Sequence, residues 1–161
     1  MRWLFLLPRT FSKYLQHANM TRTNGFTQNA DLYRTSDAHS ETPDLESVID
    51  HLPALVGADC LDVATGTGHT AFFLAQKQAN VFAVDINDEM LRVAQEESDR
   101  LTLSVRFLKS PAEDLMFDDD NFDLVSCRLA AHHFSDLGAF LAEVSRVLRC
   151  LLYTSPSPRD S

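Results

Sequence analysis

The stretch Cys60-Leu-Asp-Val-Ala-Thr-Gly-Thr-Gly-His-Thr-Ala71 restricts the fold of this chain more than any other segment. A short apolar run holds Asp62, glycines follow at 66 and 68, and Ala71, Phe72, Phe73, Leu74 and Ala75 continue as an apolar helical pattern. That order spells strand, tight turn, helix. Glycine permits positive φ in the turn and lets a ligand approach the backbone closely. The first helical turn adds N–H groups without partners and a partial positive charge. By itself the form Gly66-x-Gly68-x-x-Ala71 also fits a dinucleotide-binding turn, so its neighbours must decide.

Downstream, strands and helices alternate. Residues 60–64 are expected as strand one and 69–78 as the helix after the glycine turn. Residues 81–85 read as a second strand, apolar without alternation, as in a parallel sheet covered on both faces. Asn87 or Asp88 can cap a helix with Met90, Leu91, Val93 and Ala94 inward and Glu96, Glu97, Asp99 and Arg100 outward. Residues 105–109 form strand three, Asp118-Asp-Asp-Asn121 a turn, 122–127 strand four and 137–149 a last helix. Ahead of strand one, Asp44 can cap a helix with Leu45, Val48, Ile49 and Leu52 on its apolar face. The pattern predicts an α/β, Rossmann-like doubly wound parallel sheet with ligands at the carboxyl ends of its strands. Asp62, Gly66, Asp85, Ala112 and Arg128 all fall at or just past such ends.

The chain has 161 residues and a net charge of −9, which argues against a nucleic-acid surface needing a basic stripe. Residues 1–30 carry Arg2, Arg9, Lys13 and Arg22 but no acid, so they read as a leader or a mis-assigned upstream segment with Met20 as the start. The apolar run from Trp3 to Leu7 is too short to span a membrane. A cytoplasmic location is expected, or a mitochondrial one if residues 1–19 are a transit peptide. Cys60, Cys127 and Cys150 form no closed disulfide set and have no metal-cluster spacing, so no metal site is expected. One back-translation of Cys150-Leu-Leu-Tyr-Thr-Ser-Pro-Ser-Pro-Arg-Asp160 reads like a sequencing-library adapter in frame; a natural Pro/Ser tail is the other reading. Residues 31–149 are therefore expected as the domain and 150–161 as a non-native tail.

Leu61-Asp-Val-Ala-Thr-Gly-Thr-Gly68, Val84-Asp-Ile-Asn87, Ala112-Glu-Asp-Leu115, Phe122-Asp-Leu-Val125 and Glu143-Val-Ser-Arg-Val-Leu148 stand in a telling order. Together they resemble the class I S-adenosylmethionine-dependent methyltransferases, nearest in pattern to the ubiquinone/menaquinone C-methyltransferase group. The resemblance covers about residues 33–149. It implies a strand order of 3-2-1-4-5-7-6, of which the last three strands are missing here. Strand four would then be an exposed edge.

The resemblance also implies roles. Asp62 would face the methionine ammonium, or else cap the turn as a structural carboxylate. The turn Ala64, Thr65, Gly66, Thr67 and Gly68 would pass under methionine and ribose, with Ala64 standing where the family often has glycine. Asp85 would accept both ribose hydroxyls and Ile86 would cover an adenine face. Pro111 replaces a frequent Asp or Asn and has neither side-chain acceptor nor N–H. Adenine recognition would therefore fall to the Ala112 backbone, with Glu113 as a further contact. Met116 and Phe117 read as core. Arg128 has three readings: the methionine end, an acidic acceptor, or a pair with Asp136. His132 and His133 would serve as a base near neutral pH, or pack inertly.

The implied activity is methyl transfer from S-adenosylmethionine to a small-molecule acceptor, at carbon or oxygen. Two rivals stand beside it. A nicotinamide-dependent oxidoreductase fits the glycine turn literally, and an inactive methyltransferase fragment fits the missing strands.

Overall fold

The computed structural model describes residues 55–128, 130 and 133–149. The leader, the helix expected before strand one, His132 and the tail lie outside the described residues. Four parallel strands, β1 (Asp59–Val63), β2 (Asn80–Asp85), β3 (Val105–Lys109) and β4 (Leu124–Ser126), form one sheet in the order β3-β2-β1-β4. Three helices, α1 (His69–Gln76), α2 (Asp88–Leu101) and α3 (Leu137–Val147), complete the described elements.

Two apolar clusters lie on the two faces of the sheet. Cys60, Val81, Ala83, Val105 and Leu124 pack with Ala71, Phe72 and Leu74 of α1 and Ala94 of α2. Leu61, Val63, Val84 and Val125 pack with Phe140, Val144 and Val147 of α3. Alternate residues of each strand thus serve opposite faces, which explains why the strands read as unbroken apolar runs. Each buried side chain of α3 contributes about 1.5–3 kcal/mol by leaving water. Phe82, Phe117 and Phe122 meet edge to face at 4.9–5.7 Å between ring centres and close this second layer.

The helix ends follow local chemistry. Asn87 caps α2, its side chain accepting from Glu89 N–H at 3.0 Å and Met90 N–H at 3.3 Å. Asp136 caps α3 by accepting from Ala139 N–H at 2.9 Å. Gly68 stands at the start of α1, which consequently has no side-chain cap there.

Several boundaries differ from expectation. β1 stops at Val63 because Ala64 turns to φ +54°. α1 ends at Gln76, and Gln78 takes φ +63° to lead into β2. β4 pairs with β1 only over Leu124–Ser126; Phe122 instead forms an isolated parallel bridge with Leu148, beyond the end of α3. Met116, expected in the core, is exposed, whereas Phe117 is packed.

Candidate functional site

The site is built where β1 and β2 end side by side. Register sets Asp62 between Ala83 of β2 and Ser126 of β4. Asp62 is 1% exposed, and its Oδ1 accepts from Ser126 Oγ at 2.7 Å. Its Oδ2 and the Thr65 hydroxyl are buried without a hydrogen bond of good geometry. Burial pushes the Asp62 carboxyl up to about 6, although the Ser126 and Thr65 hydroxyls and the nearby Arg128 guanidinium favour its charged form. A buried carboxylate with one oxygen engaged and one orphaned is a ready partner for a cation.

The glycine turn is stitched to β2. Thr65 N–H donates to Val84 O at 3.0 Å, and Gly66 N–H donates to Asp85 Oδ2 at 2.8 Å. Its two glycines do different work. At Gly68, φ is +92° and a Cβ would lie 2.6 Å from the Phe72 ring, so glycine is needed for helix packing. At Gly66, φ is +56° and a Cβ would meet nothing within 4 Å. The open space above Gly66 is where a ligand can approach the backbone. Ala64, at φ +54°, takes the same left-handed conformation with a side chain, at a strain of about 1–2 kcal/mol. Replacing the family glycine there is therefore not free.

Asp85 closes the turn from the other side. Its Oδ1 accepts from Asn87 N–H at 2.9 Å, and Oδ2 takes Gly66 N–H. Burial pushes this carboxyl upward against the N–H groups of Asn87, Gly66 and Ile86. Each carboxylate oxygen retains acceptor capacity beyond one donor. Ile86 follows with 68% of its surface exposed, at the head of an open groove lined also by Asn87, Asp88 and Glu89.

The segments after β3 and β4 are tied to one another. Glu113 Oε1 accepts from Ser135 N–H and Oγ, both at 2.8 Å, and from Asp136 N–H at 3.4 Å. Burial acts to raise this carboxyl, but those donors hold it below the usual range. Glu143 accepts Leu115 N–H at 2.7 Å, while Arg146 bonds Glu143 Oε2 at 2.7 Å and the Leu115 and Phe117 carbonyls. The residues 111–119 are thereby fixed against α3. Ala112 is buried, and no group among the described residues accepts its N–H.

Asp62, Ala64, Thr65, Gly66, Thr67, Gly68, Asp85 and Ile86 thus form one continuous wall. Arg128 is half-buried and near enough to act on the charge of Asp62. Glu113 is turned by at least one oxygen toward the loop before α3. His133 is exposed, its N–H donating to Ala130 O at 2.8 Å, whereas His132 lies outside the described residues. Burial pushes the thiols of Cys60 and Cys127 up to about 12, which keeps both protonated and unreactive near neutral pH. Among the described residues no His, Cys, Asp and Glu group is arranged to hold a metal ion, and no helix is long and apolar enough to cross a membrane. Sequence reasoning missed Ser126; the available signal was a hydroxyl in the apolar run Leu124-Val-Ser-Cys127.

The wall can hold a cation at Asp62, a polyol at Asp85 and a flat apolar group beside Ile86. Known proteins agree in both sequence and fold. Residues 61–150 match the family described as the methyltransferase domain, and this chain belongs to that family. The uncharacterized methyltransferase YcgJ of Bacillus subtilis is 37% identical over 146 residues, covering 88% of this chain and 58% of that protein. The demethylmenaquinone methyltransferase of Deinococcus radiodurans is 36% identical over 104 residues, 61% of this chain and 43% of that protein. The crystal structure of B. subtilis YcgJ superposes with a TM-score of 0.63 at 38% identity, over 65% of this chain and 45% of that one. A SAM-dependent methyltransferase from Aquifex aeolicus superposes with a TM-score of 0.69 at 26% identity, over 80% and 69% of the two chains. The fold is thus the Rossmann-like fold of class I methyltransferases, with four of its strands among the described residues. This chain spans about half the length of the curated relatives it matches. The nicotinamide reading of the glycine turn finds no support in these relationships.

Proposed function

We propose that the protein transfers a methyl group from S-adenosylmethionine to a small-molecule acceptor. The observation that carries this reading is the orphaned, fully buried Oδ2 of Asp62 beside an open Gly66 backbone. Those features fit an ammonium-bearing ligand lying across the turn. S-adenosylmethionine would supply a sulfonium-bound methyl that is already strongly electrophilic.

The chain's part is placement. Asp62 holds the ammonium in a site where water does not compete, and a charge-assisted bond forms. Gly66 admits the ligand against the backbone. Asp85 receives the ribose hydroxyls, Ile86 covers an adenine face and the Ala112 N–H reads the adenine edge. Arg128 attends the methionine end. Glu113 sets the loop that leads into α3, and its remaining acceptor capacity leaves room for a ligand contact. His133, and His132 next to it in sequence, remove a proton from acceptors that require it. In-line placement supplies most of the acceleration in such a reaction.

The named relatives include a demethylmenaquinone methyltransferase, which supports a small-molecule acceptor, methylated at carbon or oxygen. Buried free thiols at Cys60 and Cys127 suit a reducing compartment, and the cytoplasm is the proposed location. Calorimetry on this chain with S-adenosylmethionine, S-adenosylhomocysteine and NADH tests the proposal. Binding of the first two and not the third is expected. NADH binding with neither sulfur ligand bound would refute it.

A further inference from the structure

The wall described above relies on Asp62 offering one oxygen and not the other, and one residue outside the glycine turn decides which. Ser126 sits directly across the β1–β4 ladder from Asp62, 1% exposed, in a strand otherwise made of Leu124 and Val125. Its Oγ lies 2.7 Å from Asp62 Oδ1 and 3.4 Å from Leu61 O. A hydroxyl has a single proton to donate, and the shorter approach to the charged acceptor takes it. Ala83, the neighbour on β2, offers only a methyl group.

We propose that Ser126 is the positioning residue of the site: it pins Asp62 through Oδ1, so that Oδ2 is the oxygen presented to the cofactor's ammonium. The proposal rests on the methyltransferase reading for the ammonium, but the pinning itself is a property of the unliganded chain. Ser126 touches no reacting atom. Without its donor the buried carboxylate loses its one well-formed hydrogen bond and is left with the weaker influence of the Thr65 hydroxyl, so its charged form becomes harder to maintain. The other groups acting on Asp62 are the Thr65 hydroxyl and Arg128, which favour the charge, and Asp85, which opposes it. The Cys60 and Cys127 thiols nearby stay protonated and add no charge.

The test measures two things on the whole chain. The first is the titration of the Asp62 carboxyl by carbon-13 NMR without ligand. The second is the pH dependence of S-adenosylhomocysteine affinity by calorimetry. Ser126→Ala should raise the Asp62 midpoint by about one pH unit, the scale of a hydrogen bond to a charged group, and so weaken binding about twofold at pH 7 and about tenfold at pH 5. Ser126→Thr keeps the hydroxyl and should hold the wild-type midpoint. A merely structural serine would lower the melting temperature of Ser126→Ala and leave the midpoint where it was; that result overturns the proposal. Should Ser126→Ala not fold, Ser126→Cys replaces it: the weaker thiol donor should shift the midpoint upward, and equal midpoints for Cys and Thr also overturn the proposal. If the unmodified chain binds no S-adenosylhomocysteine, the methyltransferase reading fails by itself. The carboxyl titration then still decides whether Ser126 pins Asp62.

Discussion

Asp62 and Asp85 end neighbouring strands of one sheet, yet the fold treats the two carboxylates in opposite ways. Asp62 is sealed from water, takes one hydrogen bond from a side chain and keeps an oxygen unmatched. Asp85 is half-buried and has both oxygens engaged by backbone N–H groups, those of Gly66 and Asn87. The first stores an unmet demand for positive charge. The second is part of the scaffold that shapes the turn, with acceptor capacity left over for a ligand. Two acids that look alike in sequence therefore carry different mixtures of function and stability, and substitution should separate them.

The largest effect is expected at Asp62. Asp62→Asn keeps an acceptor for Ser126 but removes the charge, so affinity for S-adenosylhomocysteine should fall by about 3 kcal/mol, the upper range for a charge-assisted bond. The same change should make the fold more stable at pH 7, since burying an ionised carboxylate whose pKa stands near 6 costs about 3 kcal/mol against its ordinary value. Calorimetry and chemical denaturation on the same variant check both signs. A variant that loses stability together with affinity would erase the distinction drawn between the two acids.

Asp85→Ala should look different, losing on both counts. Affinity should weaken by about 2 kcal/mol, and unfolding free energy should drop by about 1 kcal/mol because two half-buried N–H groups lose their acceptor. An Asp85→Ala chain with wild-type stability would show that the Gly66 and Asn87 bonds contribute nothing net.

Acidity provides a third, smaller handle. The Asp62 pKa is raised on folding, so its protonated form favours the folded chain: this contribution to stability is fully present below about pH 4 and is lost as pH rises through about 6. Cation binding requires the ionised form and runs the other way. Lowering the pH from 7 to 5 should weaken S-adenosylhomocysteine binding about tenfold while the fold gains stability, and Asp62→Asn should abolish both trends. Titration calorimetry across that range, paired with melting curves, measures it.

The smallest change sharpens the comparison as a control. Ala64→Gly relieves left-handed strain of about 1–2 kcal/mol but adds disorder to the unfolded chain, leaving a net gain of about 0.5 kcal/mol. It should raise the melting temperature slightly without moving the Asp62 titration midpoint. A shifted midpoint would mean that the strained backbone at Ala64 helps to orient Asp62.

Much of this site is legible in the sequence alone. Glycines 66 and 68 after an apolar run announce a turn, Asn87 or Asp88 announces a helix start, and acids at 62 and 85 fall at strand ends by simple counting. These signals are local: they depend on φ preferences, capping and periodicity within a few residues. The same reasoning failed at Met116, where an apolar residue in a loop was read as core. It overextended β4, because it could not see that Phe122 bridges Leu148. The resemblance implied Glu113 as a further adenine contact beside the Ala112 backbone; that its Oε1 also serves the loop at Ser135 and Asp136 was visible only in the fold.

The sequence by itself determined the alternation of strand, turn and helix and the position of the two acids, because backbone preference and hydrophobic period act along the chain. Only the tertiary structure decided which acid would be sealed, which glycine would pack on Phe72 and which would stay open, and that Ser126 would stand opposite Asp62. Those outcomes depend on register between strands more than sixty residues apart in the chain. A one-residue slip in that register would turn Ser126 to the other face of the sheet, and no local preference distinguishes the two alignments.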